Sequence, residues 1–265
     1  MEKIALYIES WLDDYCRKSG LEGFVVGVSG GIDSAVTSTL CARTGRNVVA
    51  VTMPIHQAPN QLALSNAHLE WLLRRFANVR SESIDLTGVF EEMKSSLPRE
   101  VQDGLSMANT RSRLRMTALY ALASHNRMLV TGTGNKVEDF GVGFYTKYGD
   151  GGVDISPIAD LMKSEVFALG RHLGIMEDIL NAPPTDGLWD DERTDEDQIG
   201  ATYPELEWAI CFEEAPKDTS MLSIRQQKVL AIYRKFNSMN RHKMEPIPVC
   251  SIPPDLRAGS FEPAH

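Results

Sequence analysis

Short apolar runs alternate with longer stretches of three-to-four spacing along this chain. Residues 24–28, 47–53, 79–84 and 128–133 are brief and mostly β-branched, with turn-forming residues such as Gly, Pro, Asp and Asn beside them, which predicts strands. Between them the spacing turns helical: about 33–43, a stretch marked by Leu62, Leu69, Leu72 and Leu73, a short piece at 89–93, and 107–123. An amphipathic helix opens the chain, with Ile4, Ile8, Trp11, Leu12 and Tyr15 as its apolar face. Further helices are predicted at 163–173, about 204–213 and 223–240. Residues 135–160 are rich in glycine and aromatics and weakly periodic, and 183–197 reads as an acidic loop. Residues 245–265, with Pro246, Pro248, Pro253, Pro254 and Pro263, read as an extended tail. Strands alternating with helices predict an α/β fold, a doubly wound and mostly parallel sheet with flanking helices. Ligands then bind beyond the carboxyl ends of the strands. No repeat or low-complexity linker divides the chain, so residues 1–265 are expected to form one domain.

Candidate chemistry starts at the end of the first strand. Residues 24–34 read FVVGVSGGIDS. Strand, glycine turn and helix N-terminus form an anion-binding geometry: glycines allow close approach, free N–H groups point outward, and the helix dipole favours negative charge. Ser29 and Ser34 add hydroxyls. Asp33 adds a carboxylate, which suits a hard cation such as Mg²⁺ between it and the anion. Neither a Walker A loop nor a G-x-G-x-x-G fingerprint is present. The string S-G-G-x-D-S resembles the PP-loop of the ATP pyrophosphatases, which split ATP into AMP and pyrophosphate while adenylating a substrate oxygen.

Composition narrows the partners. The formal charge of −9 argues against a general nucleic-acid or membrane-surface binder, whose domains are usually basic. Cys16, Cys41, Cys211 and Cys250 lie far apart without a C-x-x-C, so they read as reduced thiols. The N-terminal stretch carries acids instead of a signal-type apolar core, and no apolar run reaches bilayer-spanning length. A cytoplasmic protein is expected.

Two further motifs lie downstream. Gly132-Thr133-Gly134-Asn135-Lys136-Val137-Glu138 follows the fourth predicted strand; by itself it reads equally as a plain glycine turn. Residues 146–154 read TKYGDGGVD, followed by Pro157 and Lys163. Together with SGGIDS and GTGNKVE these residues resemble the NAD synthetases, which amidate deamido-NAD (nicotinic acid adenine dinucleotide). The resemblance runs from about Phe24 to Pro246 and includes Asn109, Arg113, Arg115 and Met116, Pro184-Thr185, Asp195-Glu196 before Gly200, and His242-Lys243.

The resemblance implies roles residue by residue. Gly27, Val28, Ser29, Gly30, Gly31, Ile32, Asp33 and Ser34 would bind ATP phosphates, with Thr133, Lys163 and Thr185 as further ATP contacts. Asp33 and Glu138 would hold Mg²⁺, and Asp33 and Lys163 would be catalytic. Arg113, Lys147, Asp154, His242 and Lys243 would contact deamido-NAD. It also implies a homodimer and an acyl-adenylate that ammonia attacks. Glutamine-using members carry an added amidase domain; only 23 residues precede Phe24, so direct use of ammonia is expected. Taken alone, Lys163 reads as surface charge, His242 as a helix-end residue, Arg113 and Arg115 as a solvated face, and the acids of 186–197 as a solvated lid.

Two departures from the family pattern stand out. The spacing from Glu138 to Lys147 is one residue longer than usual. After the second strand the chain reads VTMPIHQAPNQ, with Thr52 where many members have Arg, and no acid before Glu70, so no adenine contact is carried over there. The alternatives are another PP-loop enzyme, such as a base-amidating or tRNA-modifying one, and a non-catalytic nucleotide sensor. A tRNA enzyme would call for a basic surface and a base-amidating one for the absence of TKYGDGG. A sensor would call for loss of the paired carboxylates.

Overall fold

The computed structural model describes residues 1–57, 59–182, 195–215 and 219–257. Thr185 and the acidic stretch 183–194 lie outside them. Helix α1 (Glu2–Ser19) leads into β1 (Gly23–Gly27), α2 (Ile32–Arg43), β2 (Asn47–Thr52), α3 (Pro59–Arg75) and β3 (Val79–Ser83). Then come α4 (Thr87–Ser96), α5 (Gly104–Asn126) and β4 (Leu129–Thr131). The sheet is parallel throughout with order β3-β2-β1-β4, so the chain reverses its winding between β1 and β4. That is the doubly wound arrangement the alternation predicts. The reversal opens a crevice at the carboxyl ends of β1 and β4, where both candidate loops emerge.

Alternate residues of the strands enter two different cores. Phe24, Val26, Val48 and Ala50 face α1, α2, α3 and two later helices, α6 (Lys163–Leu173) and α7 (Glu177–Leu180). Val25, Val49, Val51 and Val130 face α4 and α5. A strand period of two, with both faces covered, is why these runs are apolar at nearly every position. Burying one such side chain contributes about 1.5–3 kcal/mol. A further cluster joins a wide, π-type helical turn (Lys136–Val142) to α8 (Asp195–Ile199), α9 (Tyr203–Glu214) and α10 (Ile224–Met244). The catalytic candidates lie where this cluster meets the first.

Several expectations change. The inward face of α1 is Ala5, Ile8, Leu12 and Cys16, while Trp11 and Tyr15 stay half-exposed with ring centroids 5.7 Å apart. Small Ala5 and Cys16 let the helix sit close to its neighbour. Glu9 and Asp13 pair with Arg43 and Arg46, which fixes the rotation. The acidic loop expected to run to 197 ends earlier, because α8 starts at Asp195. A four-residue helix, α11 (Pro254–Arg257), interrupts the tail. The irregular stretch 135–160 opens with the wide turn. The turn is of the wide π type over Lys136–Val142 and is capped by Asn135. Among the described residues no helix is long and apolar enough to cross a membrane.

One buried polar contact carries a pH signature. Ser38 on α2 donates its hydroxyl proton to the Ser34 carbonyl at 2.7 Å, so His68 Nε2 on α3, 2.9 Å from Ser38 Oγ, must be the N–H partner. His68 Nδ1 is then a bare buried acceptor, and protonating it would create a buried donor without a partner. Burial pushes the imidazole down from 6.5 to about 4. The unfolded chain therefore takes up this proton first, and stability is lost as pH falls from 6.5 toward 4. Two and a half pK units correspond to about 3 kcal/mol. Chemical denaturation of wild type and His68→Gln across this window should show the wild-type slope steeper by about 1.4 kcal/mol per pH unit. Parallel slopes would mean that His68 is not held neutral.

Candidate active site

The first loop is built as its sequence suggests. Gly30 adopts φ +91°, a conformation open to glycine, and turns the chain from β1 into α2. Ser29 and Ser34 brace the turn from within. The Ser29 N–H donates to Ser34 Oγ, the Gly31 N–H donates to Ser29 Oγ, and Ser34 Oγ donates to the Gly31 carbonyl at 3.0 Å. Gly31 is the N-cap of α2 and has no side chain to cap it, so the first amides of the helix face the crevice. Both serines thus serve the loop's own shape as well as any ligand.

Asp33 in the first turn of α2 points across the crevice to the second loop. Its Oδ1 accepts from Asn135 Nδ2 at 3.0 Å, and its Oδ2 accepts from Lys163 Nζ at 2.6 Å. Lys163 also donates to Glu138 Oε1 at 2.8 Å. The ammonium bridges the two carboxylates singled out as a metal pair. It is no surface charge, since Lys163 is 3% exposed. Gly170 makes this reach possible: a Cβ there would lie 2.6 Å from Ile32 Cδ1, so α6 packs directly on α2.

Burial raises the Asp33 carboxyl, with Glu138 adding to it against the pull of Lys163. Burial would also raise Glu138, but the charge of Lys163 and hydrogen bonds from Lys163, Tyr203 and Asn135 outweigh it and hold that carboxyl below its usual range. Burial alone would lower Lys163, yet the two carboxylates raise it above an ordinary lysine.

Two carboxylates against one ammonium leave negative charge unbalanced in a buried place. That donor set fits a hard cation. Among the described residues no cluster of three or more His, Cys, Asp or Glu forms a closed metal cage. A pair of carboxylates completed by phosphate and water is the usual Mg²⁺ mode.

Asn135 is a residue whose role the sequence did not disclose. It is fully buried, and its Oδ1 accepts from the Val137 and Glu138 N–H groups at 3.1 Å, capping the wide turn that carries Glu138. The N-cap preference for Asn was the available signal. Tyr203 is another, with its hydroxyl 2.5 Å from Glu138 Oε1. Asp139 is a third. Burial, then Asp150, Glu138 and Asp33, push its carboxyl well above the usual range.

The substrate candidates gather beside this centre. Arg113 Nε on α5 donates to the Lys147 carbonyl, Lys147 Nζ to the His242 carbonyl at 2.6 Å, and Lys243 Nζ to the Tyr145 carbonyl at 2.7 Å. One helix, one loop and the end of α10 thus converge. Asp154 stands apart: Tyr120, two turns along α5 from Arg113, donates to its Oδ1, and the Val130 N–H donates to its Oδ2. Thr133 follows the carboxyl end of β4, next to β1. Arg115, part of the same motif as Arg113, ties α5 to the Met53 carbonyl beyond β2.

The chain and its fold have counterparts in known proteins. The NAD synthase family description matches residues 4–247. An NH(3)-dependent NAD(+) synthetase of Alkaliphilus metalliredigens is 37% identical over 93% of this chain and 99% of its own. The solved NMN synthetase of Francisella tularensis superposes with a TM-score of 0.83 at 30% identity, over 95% of this chain and 98% of that one. The NAD+ synthetase of Burkholderia pseudomallei gives a TM-score of 0.67 at 28% identity, over 91% and 89%. With a match over nearly the whole length and a PP-loop at the sheet's switch point, the chain belongs to the NAD synthase family.

Proposed function

We propose that this chain amidates deamido-NAD with ammonia, using ATP and Mg²⁺ and releasing NAD, AMP and pyrophosphate. The observation that carries the reading is the buried Asp33–Lys163–Glu138 triad opening onto the PP-loop. The substrate carboxylate attacks the α-phosphate of ATP, and pyrophosphate leaves. Ammonia then attacks the acyl-adenylate carbonyl, and AMP leaves. A free carboxylate is a poor electrophile, so activation has to come first.

In this reading residues 27–34 cradle the phosphates, chiefly through the first N–H groups and the dipole of α2, with the serine-braced turn holding the loop's shape. Lys163 supplies a fixed positive charge, and Thr133 and Thr185 are further ATP contacts. Asp33 and Glu138 would hold Mg²⁺, which when bound offsets phosphate charge. Arg113, Lys147, His242 and Lys243 suit the pyrophosphate and carboxylate of the dinucleotide. Asp154 orients the substrate through a hydroxyl or ring contact. No covalent nucleophile is needed, because positioning and charge stabilisation suffice.

We read residues 1–265 as one working domain in the cytoplasm. The free cysteines support a reducing compartment. A homodimer is what the family resemblance implies, and the exposed apolar side chains Val89 and Met93 on α4 offer a surface for it. Sedimentation as a monomer at micromolar concentration would remove the dimer.

The test is NAD formation by purified protein given ATP, Mg²⁺ and deamido-NAD, with ammonium or with glutamine. Product from ammonium alone is expected. The likeness to an NMN synthetase favours a second reading, amidation of the mononucleotide. Offering nicotinate mononucleotide in parallel separates the two by kcat/KM. Turnover with neither substrate would overturn both.

A further inference from the structure

Tyr203 joins the cluster of α8, α9 and α10 to the buried triad. It is the first residue of α9, buried with Leu206, Ile210 and Tyr233. Its hydroxyl donates to Glu138 Oε1 at 2.5 Å, the same oxygen that accepts from Lys163 at 2.8 Å. The Lys163 ammonium lies 4.9 Å from the Tyr203 ring centroid, a cation–π distance. One side chain therefore touches the anionic and the cationic member of the triad together.

The backbone around Tyr203 is tied down in turn. Its N–H donates to Glu196 Oε1 on α8 at 2.7 Å. Thr202 and Glu205 form a capping box on either side of it, and Arg225 on α10 grips both oxygens of Glu205. The start of α9 is thus tied to α8 and α10, which fixes the path of the Tyr203 side chain. Glu138, by contrast, sits on a wide turn with three side-chain torsions of its own. Its carboxylate needs a fixed partner to keep one rotamer.

We propose that Tyr203 is a positioning residue for the cation site: its hydroxyl sets the orientation of Glu138, and its ring sets the place of the Lys163 ammonium. The inference rests on the reading of Asp33 and Glu138 as cation ligands. Hydrogen-bond partners of metal-ligating carboxylates tune affinity in this way, and their loss typically costs about 10–100-fold.

Tyr203→Phe removes the hydroxyl and keeps the ring, the packing and the capping box. The half-saturating Mg²⁺ concentration should rise about tenfold or more, while KM for deamido-NAD stays within about twofold. Mn²⁺ titrated into protein saturated with a non-hydrolysable ATP analogue and followed by electron paramagnetic resonance should show the same loss of affinity. A merely structural residue would lower the melting temperature without moving either metal readout. Glu138→Gln is the companion variant. Wild-type Mg²⁺ dependence and Mn²⁺ affinity in Tyr203→Phe, with both lost in Glu138→Gln, would overturn the role of Tyr203 alone. Wild-type Mn²⁺ affinity in Glu138→Gln would remove the cation site and the positioning role with it.

Discussion

Asp33→Asn should leave a folded protein that has lost turnover, with kcat/KM lower by about 10³-fold or more. The substitution keeps the shape of the side chain and removes one charge. Lys163 then balances Glu138 alone, and the unpaired negative charge that suits a cation is gone. The cost to stability is modest: a neutral Lys163–Glu138 pair remains where the wild-type triad carries an excess charge, while the new amide accepts from only one of the two donors, Asn135 and Lys163, that Asp33 satisfied. Loss of activity and retention of stability separate a ligand role from a structural one. The check is steady-state kinetics over a Mg²⁺ titration beside a thermal melt. Near-wild-type activity with an ordinary Mg²⁺ response would sink the assignment of Asp33.

What the chain disclosed about itself divides along physical lines. The two loops at the carboxyl ends of β1 and β4 were legible because glycine, serine and acid at a strand–helix turn serve a local purpose. The strands were legible because both faces of the sheet are covered, which writes continuous apolar runs. Lys163 was not legible as a buried group. A lysine at a helix start is ordinarily solvated, and only the close packing of α6 on α2 at Gly170 drives it inward. Tyr203 was half legible: the capping box Thr202–Glu205 marks the start of α9, but where its hydroxyl points depends on how two cores meet. The aromatic spacing does not fix the rotation of α1: small Ala5 and Cys16 pack inward beside Ile8 and Leu12, and Glu9 and Asp13 face Arg43 and Arg46. The wide turn capped by Asn135 was not legible, because the weak periodicity of 135–160 does not specify a π-type turn.

Lys163→Met should be the most damaging substitution for the fold itself. Met matches the length of Lys and fills the same space, so packing is nearly kept and the charge is what disappears. Asp33 and Glu138 then face each other in a buried crevice with no cation. Breaking a buried ion cluster by removing one partner costs about 3–5 kcal/mol. The pH dependence has a definite sign. In the wild type Lys163 pulls both carboxyls down against burial, leaving Glu138 below its usual range and Asp33 above it. Without it, burial and mutual repulsion raise the pair above the value of about 4 that an unfolded chain shows. The folded variant therefore holds a proton that the unfolded chain has already released. Its stability is complete below about pH 4 and is lost as pH rises through the raised folded value. The gap to wild type should widen from acid to alkaline pH, opposite to the trend set by His68. Mg²⁺ should close part of that gap, because the bare carboxylates can then bind a cation that Lys163 no longer neutralises. Urea denaturation at pH 5 and pH 8, with and without Mg²⁺, reads all three effects. A constant difference across pH, with no Mg²⁺ rescue, would mean that Lys163 acts through packing alone and that the triad is not an electrostatic unit.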